Sequence, residues 1–295
     1  MNKRECPFCP LIDKPSGIRT SVIKNGFFKR KSDKRRIRRY QCKSCERYFS
    51  HATTNTCFGQ NKRQLNHKIR TLFCSGVSLR RIAKILGISR TTVARKLRFL
   101  GKVAVENNLR RNFKHLSTEN VQFDEMETFE HSKLKPLSIP LAVDKKTRRI
   151  LGFKVAVMPA KGHLAKLSVK KYGKRADERR SARNELLEDL NLCVNPFTEI
   201  ESDQHPLYPS EVKAKFPLAT HVTHKGQRGS IVGQGELKKV RFDPLFSLNH
   251  TCAMLRANIN RLFRRTWCTT KNRERLSDHI AIYVDYHNSM LITQR

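Results

Sequence analysis

The spacing of hydrophobic positions changes near residue 120. Residues 121–129, 137–143 and 150–158 are strand-like apolar runs, and short polar stretches separate them. Such runs predict a three-stranded antiparallel meander. Residues 176–192 carry leucines at helical spacing, and a short strand then ends at Asp203. The second half of the chain therefore predicts a mixed sheet with helices, in the α/β class.

Before that change, apolar residues at intervals of three and four predict three helices. The first covers residues 62–74, and Ser78 is suited to cap the second. A short turn at 87–89 precedes the third helix, which begins at Arg90. This is a helix-turn-helix pattern, whose last helix enters the major groove of DNA. The face expected to contact DNA consists of Arg90, Thr91, Thr92, Arg95 and Lys96. An ordinary three-helix bundle is the alternative.

Two Cys-x-x-Cys pairs lie in the first fifty residues. Their spacing lets four thiolates meet one ion, which predicts a structural Zn²⁺ site with no open coordination position. Between the pairs lie a strand-like run at 19–23, an expected turn at Asn25-Gly26, and a basic strand. This arrangement predicts a zinc ribbon, and four incidental buried cysteines are the alternative. The expected ligands are Cys6, Cys9, Cys42 and Cys45.

The charge of the chain indicates its partner. The 295 residues include 61 Lys and Arg against 25 Asp and Glu, a net charge of +36, which is typical of proteins that bind nucleic acid. Residues 1–115 hold 30 of these bases but only five of the acids. We therefore expect a ribbon at 1–58, a DNA-binding helical domain at 59–115 and a catalytic domain at 116–295. No apolar run is long enough to span a bilayer, and no signal sequence is evident, so we expect a cytoplasmic protein.

Two aspartates in strand-like settings are the candidate catalytic residues. Asp124 lies within the first run of the meander, and Asp203 ends the strand that follows the helix. A carboxylate in an apolar strand needs a partner or a metal. Three strands, a helix and a strand ending in an acid is the order of an RNase H-like fold, in which two such carboxylates bind paired Mg²⁺ or Mn²⁺ ions. Turn or edge positions are the alternative for each aspartate.

Several motifs together resemble the zinc-ribbon-bearing DDE transposases of bacterial insertion sequences. They are the cysteine pairs, the helix-turn-helix, Phe123-Asp124-Glu125-Met126, the segment 202–208 and the late segment 255–271. The resemblance covers nearly the whole chain. It implies a metal-dependent enzyme that cuts the terminal repeats of its element and joins the 3′-hydroxyl to target DNA. Because two ends must be held together, we expect a homodimer or a higher oligomer on DNA.

The third acid of that family is absent. Its position, six residues before Leu255-Arg256, holds Asn249, which offers magnesium a carbonyl oxygen without charge. Glu236 in a glycine-rich segment and His250 are alternative ligands, and Arg256 is a candidate to hold a phosphate. Asn249, Arg256 and Asn260 are expected on one helix face. Two rival functions stay open: a DNA-binding protein with a degraded catalytic core, and a nuclease that cuts without joining.

Overall fold

The computed structural model describes residues 5–9, 22–31, 33–114, 118–225, 243–263 and 267–292. The chain divides into two compact units, Met1–His67 and Lys68–Arg295, each described here by itself. The mixed sheet and most of the helical segment belong to the second unit. The predicted boundaries after residues 58 and 115 stay predictions.

A small antiparallel sheet forms the first unit. Its strands are β1 (Val22–Lys29), β2 (Arg36–Cys42) and β3 (Tyr48–Phe49), in the order β1-β2-β3. The buried residues are Cys6, Tyr40, Cys42 and Phe49. Among the described residues two aromatic side chains accompany the cysteines in this core, and so small a core favours dependence on the cysteine cluster for stability. Residues 19–21 of the predicted strand lie outside the described residues.

A β-bulge lies where the sequence predicted a turn at Asn25-Gly26. β1 carries one extra residue relative to β2 between Lys24 and Phe27. Gly26 has a φ of +63°, in the left-handed region that glycine enters without a steric penalty. β1 continues through this point, and the chain reverses at residues 30–35 instead. The predicted turn was wrong because a bulge and a hairpin turn both favour Asn-Gly.

Three helices follow the ribbon, as predicted. They are α1 (Asn66–Phe73), α2 (Leu79–Ile85) and α3 (Arg90–Lys114). The hydroxyl of Ser78 accepts a hydrogen bond from the backbone N–H of Arg81 and caps α2. Apolar side chains from all three helices are fully buried: Ile69, Phe73, Ile82, Val93 and Leu97. α3 is longer than a minimal helix-turn-helix requires, and it packs along a late helix, α8 (Arg273–Tyr286).

A six-stranded mixed sheet forms the centre of the second unit. The strands are β4 (Thr118–Phe129), β5 (Pro136–Asp144), β6 (Ile150–Phe153), β7 (Ala156–Val157), β8 (Val194–Asp203) and β9 (Thr220–His224). Their order is β6-β5-β4-β8-β9, with β7 also beside β5. β4, β5 and β6 are antiparallel, whereas β8 runs parallel to β4 and β9 parallel to β8. The predicted meander is present, with its third run divided into β6 and β7.

One face of the sheet is covered by α5 (Arg179–Leu190) and α6 (Tyr208–Lys215). Phe123 and Ile200 from the central strands pack there against Leu186, Leu187 and Val212. A Cβ at Gly152 would lie 2.7 Å from the side chain of Leu186, so α5 approaches the sheet closely. This apolar layer fixes which residues of β4 and β8 project to the opposite face.

The opposite face is contacted by α7 (Phe246–Asn258). The side chain of Gln122 donates to the carbonyl of Pro244 and accepts from the backbone N–H of Leu248, at 2.7 and 3.0 Å. α7 ends at Asn258, and the next residue is extended. Asn260 therefore does not share an α-helical face with Asn249, which corrects that prediction. No helix in the described ranges is long and apolar enough to cross a membrane.

Candidate functional site

Four cysteines in the first unit form a site that could hold zinc. The sulfur of Cys6 lies 3.6 Å from that of Cys45, and the sulfur of Cys9 lies 3.7 Å from that of Cys42. Four thiolates at about 2.3 Å from a tetrahedral zinc ion are roughly 3.8 Å apart, so these distances fit the ion. All four ligand atoms lie within 4.8 Å of one another, and in the described part of the chain this is the only such group of three or more.

The electrostatics of the cluster also favour a cation. Burial and a neighbouring thiol raise the pKa of Cys6, and hydrogen bonding with the Cys45 sulfur raises the pKa of Cys9 to about 12. Burial opposes ionisation of Cys42 too, but N–H groups of Cys45 and Ser44 lower its pKa to about 6. One thiol thus ionises readily while its neighbours resist, which is the behaviour of crowded thiols that a metal would deprotonate.

Asp124 and Asp203 occupy equivalent places on the two central strands. β4 and β8 are parallel, with Gln122 opposite Glu201, and the aspartates lie two residues further along each strand. Neighbouring strands are about 4.8 Å apart, and in-register residues project to the same face. β9 sets His224 opposite Asp203 on the other side. The two carboxylates therefore share one face where β8 ends.

The surroundings of Asp124 hold its carboxylate in one orientation. Its Oδ1 atom accepts hydrogen bonds from the backbone N–H of Glu125 at 2.6 Å and from the hydroxyl of Tyr208 at 3.2 Å. Burial, followed by the negative charge of Asp203, raises the pKa of Asp124 to about 6. The two carboxylates are thus close enough to repel each other, and a divalent cation between them would relieve the repulsion.

Tyr208 is a site residue whose role sequence reasoning missed. Its side chain is 1% exposed and lies between Phe123 and His205, with ring centroids 4.6 and 4.5 Å away. Burial and the charge of Asp124 raise the pKa of Tyr208, so its hydroxyl remains a donor. A tyrosine five residues after Asp203, at the start of a helix, is the signal that could have predicted this contact.

A buried ion network lies behind Tyr208. Arg183 of α5 donates to both carboxylate oxygens of Glu211 at 2.6 and 2.8 Å, and to Glu125 at 2.5 Å. Burial opposes its charge, but these bonds raise the pKa of Arg183. Its guanidinium lies 5.7 Å from the Tyr208 ring centroid. The Glu125 carboxylate therefore pairs with Arg183, although Glu125 directly follows Asp124 in the sequence.

A second polar group lies on the aspartate face. Glu201 is 4% exposed and accepts hydrogen bonds from Gln122, at 2.7 Å, and from Lys145. The Nε2 atom of His224 is 3.7 Å from Glu201 and, within the described ranges, makes no hydrogen bond. Gln122 and Glu201 each precede a site aspartate by two residues. That matched spacing in two strands is a signal that sequence reasoning missed.

α7 carries two of the candidate residues, Asn249 and Arg256, together with Cys252. Asn249, Cys252 and Arg256 are spaced by three and four, so they share one side of the helix. Burial raises the pKa of Cys252 to about 12, and the charges of Arg256 and Asp124 act on it in opposite directions. Asn249 is exposed, and its amide donates to Asp243 at 2.9 Å.

Of the two alternative ligands, only His250 lies within the described residues. His250 lies with its Nδ1 atom 3.4 Å from the Arg148 guanidinium, near the turn between β5 and β6. Glu236 lies outside the described residues. Asn249 contacts the carboxylate of Asp243, and its role as the third residue of the site stays a prediction.

The predicted DNA-contacting face of α3 is largely open to solvent. Arg90, Thr91 and Arg95 are exposed, and Thr92 is half-buried because it contacts the Ser89 hydroxyl. Lys96 is only 5% exposed, so the prediction that it lies on the open face was wrong. It falls three residues after Val93 and four before Leu100, on the buried stripe of the helix.

Comparison with known proteins finds structural similarity but no sequence match. No family model matches the chain, and no curated protein matches it. Among solved structures it is similar to the "Crystal structure of the Mos1 Strand Transfer Complex", with a TM-score of 0.25 and 13% sequence identity. The alignment covers 78% of this chain and 77% of that one. A similarity at this TM-score does not establish a shared fold.

Proposed function

We propose that the protein is a DDE-type transposase that binds the ends of its own insertion sequence, cleaves DNA and joins the freed 3′-hydroxyl to target DNA. The observation that carries the proposal is the pair Asp124 and Asp203, on adjacent parallel strands and on one face. The strand order β6-β5-β4-β8-β9 supports an RNase H-like domain, because two strands parallel to β4 follow an antiparallel meander. This domain would act on element ends and on target DNA.

The donor set of the site fits Mg²⁺ or Mn²⁺, which prefer oxygen ligands. Asp124 and Asp203 would hold a pair of these ions, which supply activation of the attacking oxygen and stabilisation of the leaving oxygen. Tyr208 and the Glu125 amide both bind Oδ1 of Asp124. The second oxygen, Oδ2, is therefore the atom that Asp124 presents to a cation.

Asn249 is the observation that favours the rival without catalysis. It removes one negative charge from the position of the family's third acid, and its amide is bonded to Asp243. A site with fewer charges binds divalent ions more weakly. We retain the enzyme as the main proposal because Asp124 and Asp203 are both present and close enough to interact electrostatically. Arg256, on the same side of α7, is the proposed contact for a DNA phosphate.

We propose that α2 and α3 recognise DNA. The capped α2, the turn at Gly87 and the open N-terminal end of α3 support a helix-turn-helix. The proposed major-groove contacts are Arg90, Thr91, Thr92 and Arg95. A homodimer or higher oligomer on DNA would hold the two terminal repeats together, at the bacterial nucleoid.

The decisive experiment combines the full chain, Mg²⁺ or Mn²⁺, and labelled duplexes that contain the DNA flanking its gene. We expect cleavage at the repeat ends and joined products with a target plasmid, both absent in Asp124→Ala. Glu185→Ala is the matched control, because this exposed carboxylate lies on α5 and contacts Lys154 and Ser181. Cleavage without joined products would favour the nuclease, and tight binding with no cleavage in either metal would favour the rival without catalysis.

A further inference from the structure

The first unit has an exposed aromatic residue between two arginines. Phe27 is 41% exposed, and the guanidinium carbons of Arg38 and Arg36 lie 3.7 and 4.1 Å from its ring centroid. Both distances are well within the range of a cation–π contact. In the sheet register Phe27 is directly opposite Arg38. Arg36 lies two residues before Arg38 in β2, on the same face. We call these three residues the arginine clamp.

The bulge in β1 is what places Phe27 in the clamp. Lys24 is opposite Tyr40 and Phe27 is opposite Arg38, although an unbroken alternation would put Phe28 on that face. The extra residue at Asn25-Gly26 shifts the alternation by one position. The bulge, which the left-handed conformation of Gly26 permits, therefore places the Phe27 ring on the same face as the two arginines.

The guanidinium groups of the clamp keep their hydrogen-bonding capacity. Among the described residues neither the Arg36 nor the Arg38 side chain forms a salt bridge or hydrogen bond, and both guanidinium groups contact the ring of Phe27. The one acid of the hairpin, Asp33, is engaged by Arg30 and Arg63. An uncharged residue, Phe27, thus contacts both guanidinium groups, and their N–H groups are left to donate hydrogen bonds to a ligand.

We propose that the arginine clamp binds the phosphodiester backbone of duplex DNA and that Phe27 serves to pre-order the two guanidinium groups. Arginine matches phosphate oxygens with paired N–H donors, and a side chain ordered in advance loses less entropy on binding. A phosphate contact of this kind fixes position and carries no base information. The proposal rests on the proposed function only in taking DNA as the substrate.

The test measures DNA affinity by fluorescence anisotropy over a salt series, with the full chain, a mixed-sequence duplex and the matching single strand. For Arg36→Gln with Arg38→Gln we expect weaker duplex binding and a salt slope smaller by about 0.9 for each lost phosphate contact. Phe27→Leu keeps every charge, so we expect about 3- to 10-fold weaker binding with an unchanged salt slope. Lys43→Gln is the matched control, because it removes an exposed charge from the same unit.

Zinc content and circular dichroism establish that each variant is folded. Wild-type DNA affinity in Phe27→Leu would overturn the proposal. An equal loss of DNA affinity in Lys43→Gln and Arg36→Gln would also overturn it, because it would indicate a general electrostatic attraction rather than a specific contact. Tighter binding of the single strand, lost in Phe27→Leu, would indicate base stacking and would also overturn it. Cleavage is not the readout, so a protein that binds DNA without cutting it would disprove the proposed function and leave the clamp intact.

Discussion

At the scale of single residues, the hydroxyl of Tyr208 is the contact that gives Asp124 a fixed orientation. We predict that Tyr208→Phe keeps the fold, because the ring still packs between Phe123 and His205. Loss of the hydrogen bond should lower the cleavage rate by about tenfold and raise the Mg²⁺ concentration needed for half-maximal rate, as for other residues that orient a metal ligand. Metal titrations of the cleavage rate measure both effects.

Tyr286→Phe supplies the matched control, since this tyrosine of α8 contacts Arg70 and not the aspartates. Equal metal requirements in Tyr208→Phe and wild type would show that the hydroxyl does not position Asp124. A loss of thermal stability without a change in metal requirement would indicate a purely structural role.

Burial of Asp124 and its repulsion by Asp203 also have a consequence for stability. The pKa of Asp124 is about 6 in the folded state against an ordinary value of 3.8, so the folded state binds more protons between these values. Stability therefore falls as pH rises through this window and stays lower above it. We predict that Asp124→Asn raises the unfolding free energy of the metal-free protein at pH above about 7 by about 1–3 kcal/mol.

Denaturant unfolding at acid and neutral pH measures that difference. The gain should disappear below the window, where wild-type Asp124 is already protonated. Mg²⁺ should stabilise the wild type and leave Asp124→Asn unchanged, because binding to the folded state alone adds stability. A variant that is less stable than the wild type at neutral pH would contradict the proposed repulsion.

Residue types with strict spacing were predictable from the sequence, and contacts across elements were not. The four cysteines follow from their Cys-x-x-Cys pattern, and the aspartates from their places in apolar strands. Tyr208 acts through a hydrogen bond to β4 that no spacing reveals. Trp267 is 77% exposed, although its hydrophobicity alone would favour a core position.

At the scale of elements, a buried ion group joins three helices of the second unit. Asp285 of α8 is 3% exposed and accepts from Arg70 of α1 and Arg111 of α3, both at 3.1 Å. We predict that Asp285→Asn lowers the unfolding free energy by about 3 kcal/mol, because two partly buried cations lose a buried counter-charge. Chemical denaturation measures the loss.

The control for this prediction is Asp189→Asn, which removes a half-exposed partner of Lys154 and should cost less than about 1 kcal/mol. Equal effects of the two substitutions would mean that burial of Asp285 does not matter. If Asp285→Leu were more stable than Asp285→Asn, unpaired arginines would not be the source of the cost.

Elements with a regular apolar pattern were predicted, and those with a polar surface were missed. The meander, α5, and α1 to α3 follow from their periodicity. α4 (Leu164–Tyr172) lies in a basic stretch whose only buried residue is Ser168, so its pattern is weak. β9 has no buried residue and is defined by pairing with β8, a contact that sequence spacing does not contain. α8 is buried on most sides, which removes the amphipathic signal.

At the scale of the whole molecule, the two compact units differ in what stabilises them. The first has a core of two aromatic residues around the cysteine cluster, whereas the second has apolar layers on a six-stranded sheet. A unit without a sizeable core depends on its metal, so zinc should be part of the folding free energy of the first unit alone. The two units therefore have separate requirements for folding.

We therefore predict that a strong zinc chelator, or Cys42→Ser, unfolds the first unit and leaves the second folded. Far-UV circular dichroism should retain the helical signal of α3 and α8, and hydrogen exchange should increase in β1 and β2 but not in β4 and β8. Cys193→Ser is the control, because this buried cysteine belongs to the sheet core and lies outside the cluster.

DNA affinity should fall when zinc is removed, since the arginine clamp is carried by β1 and β2. Slow exchange in β1 and β2 after complete zinc removal would show that the ribbon folds without a metal, and cooperative loss of both units would show that their stabilities are not separate.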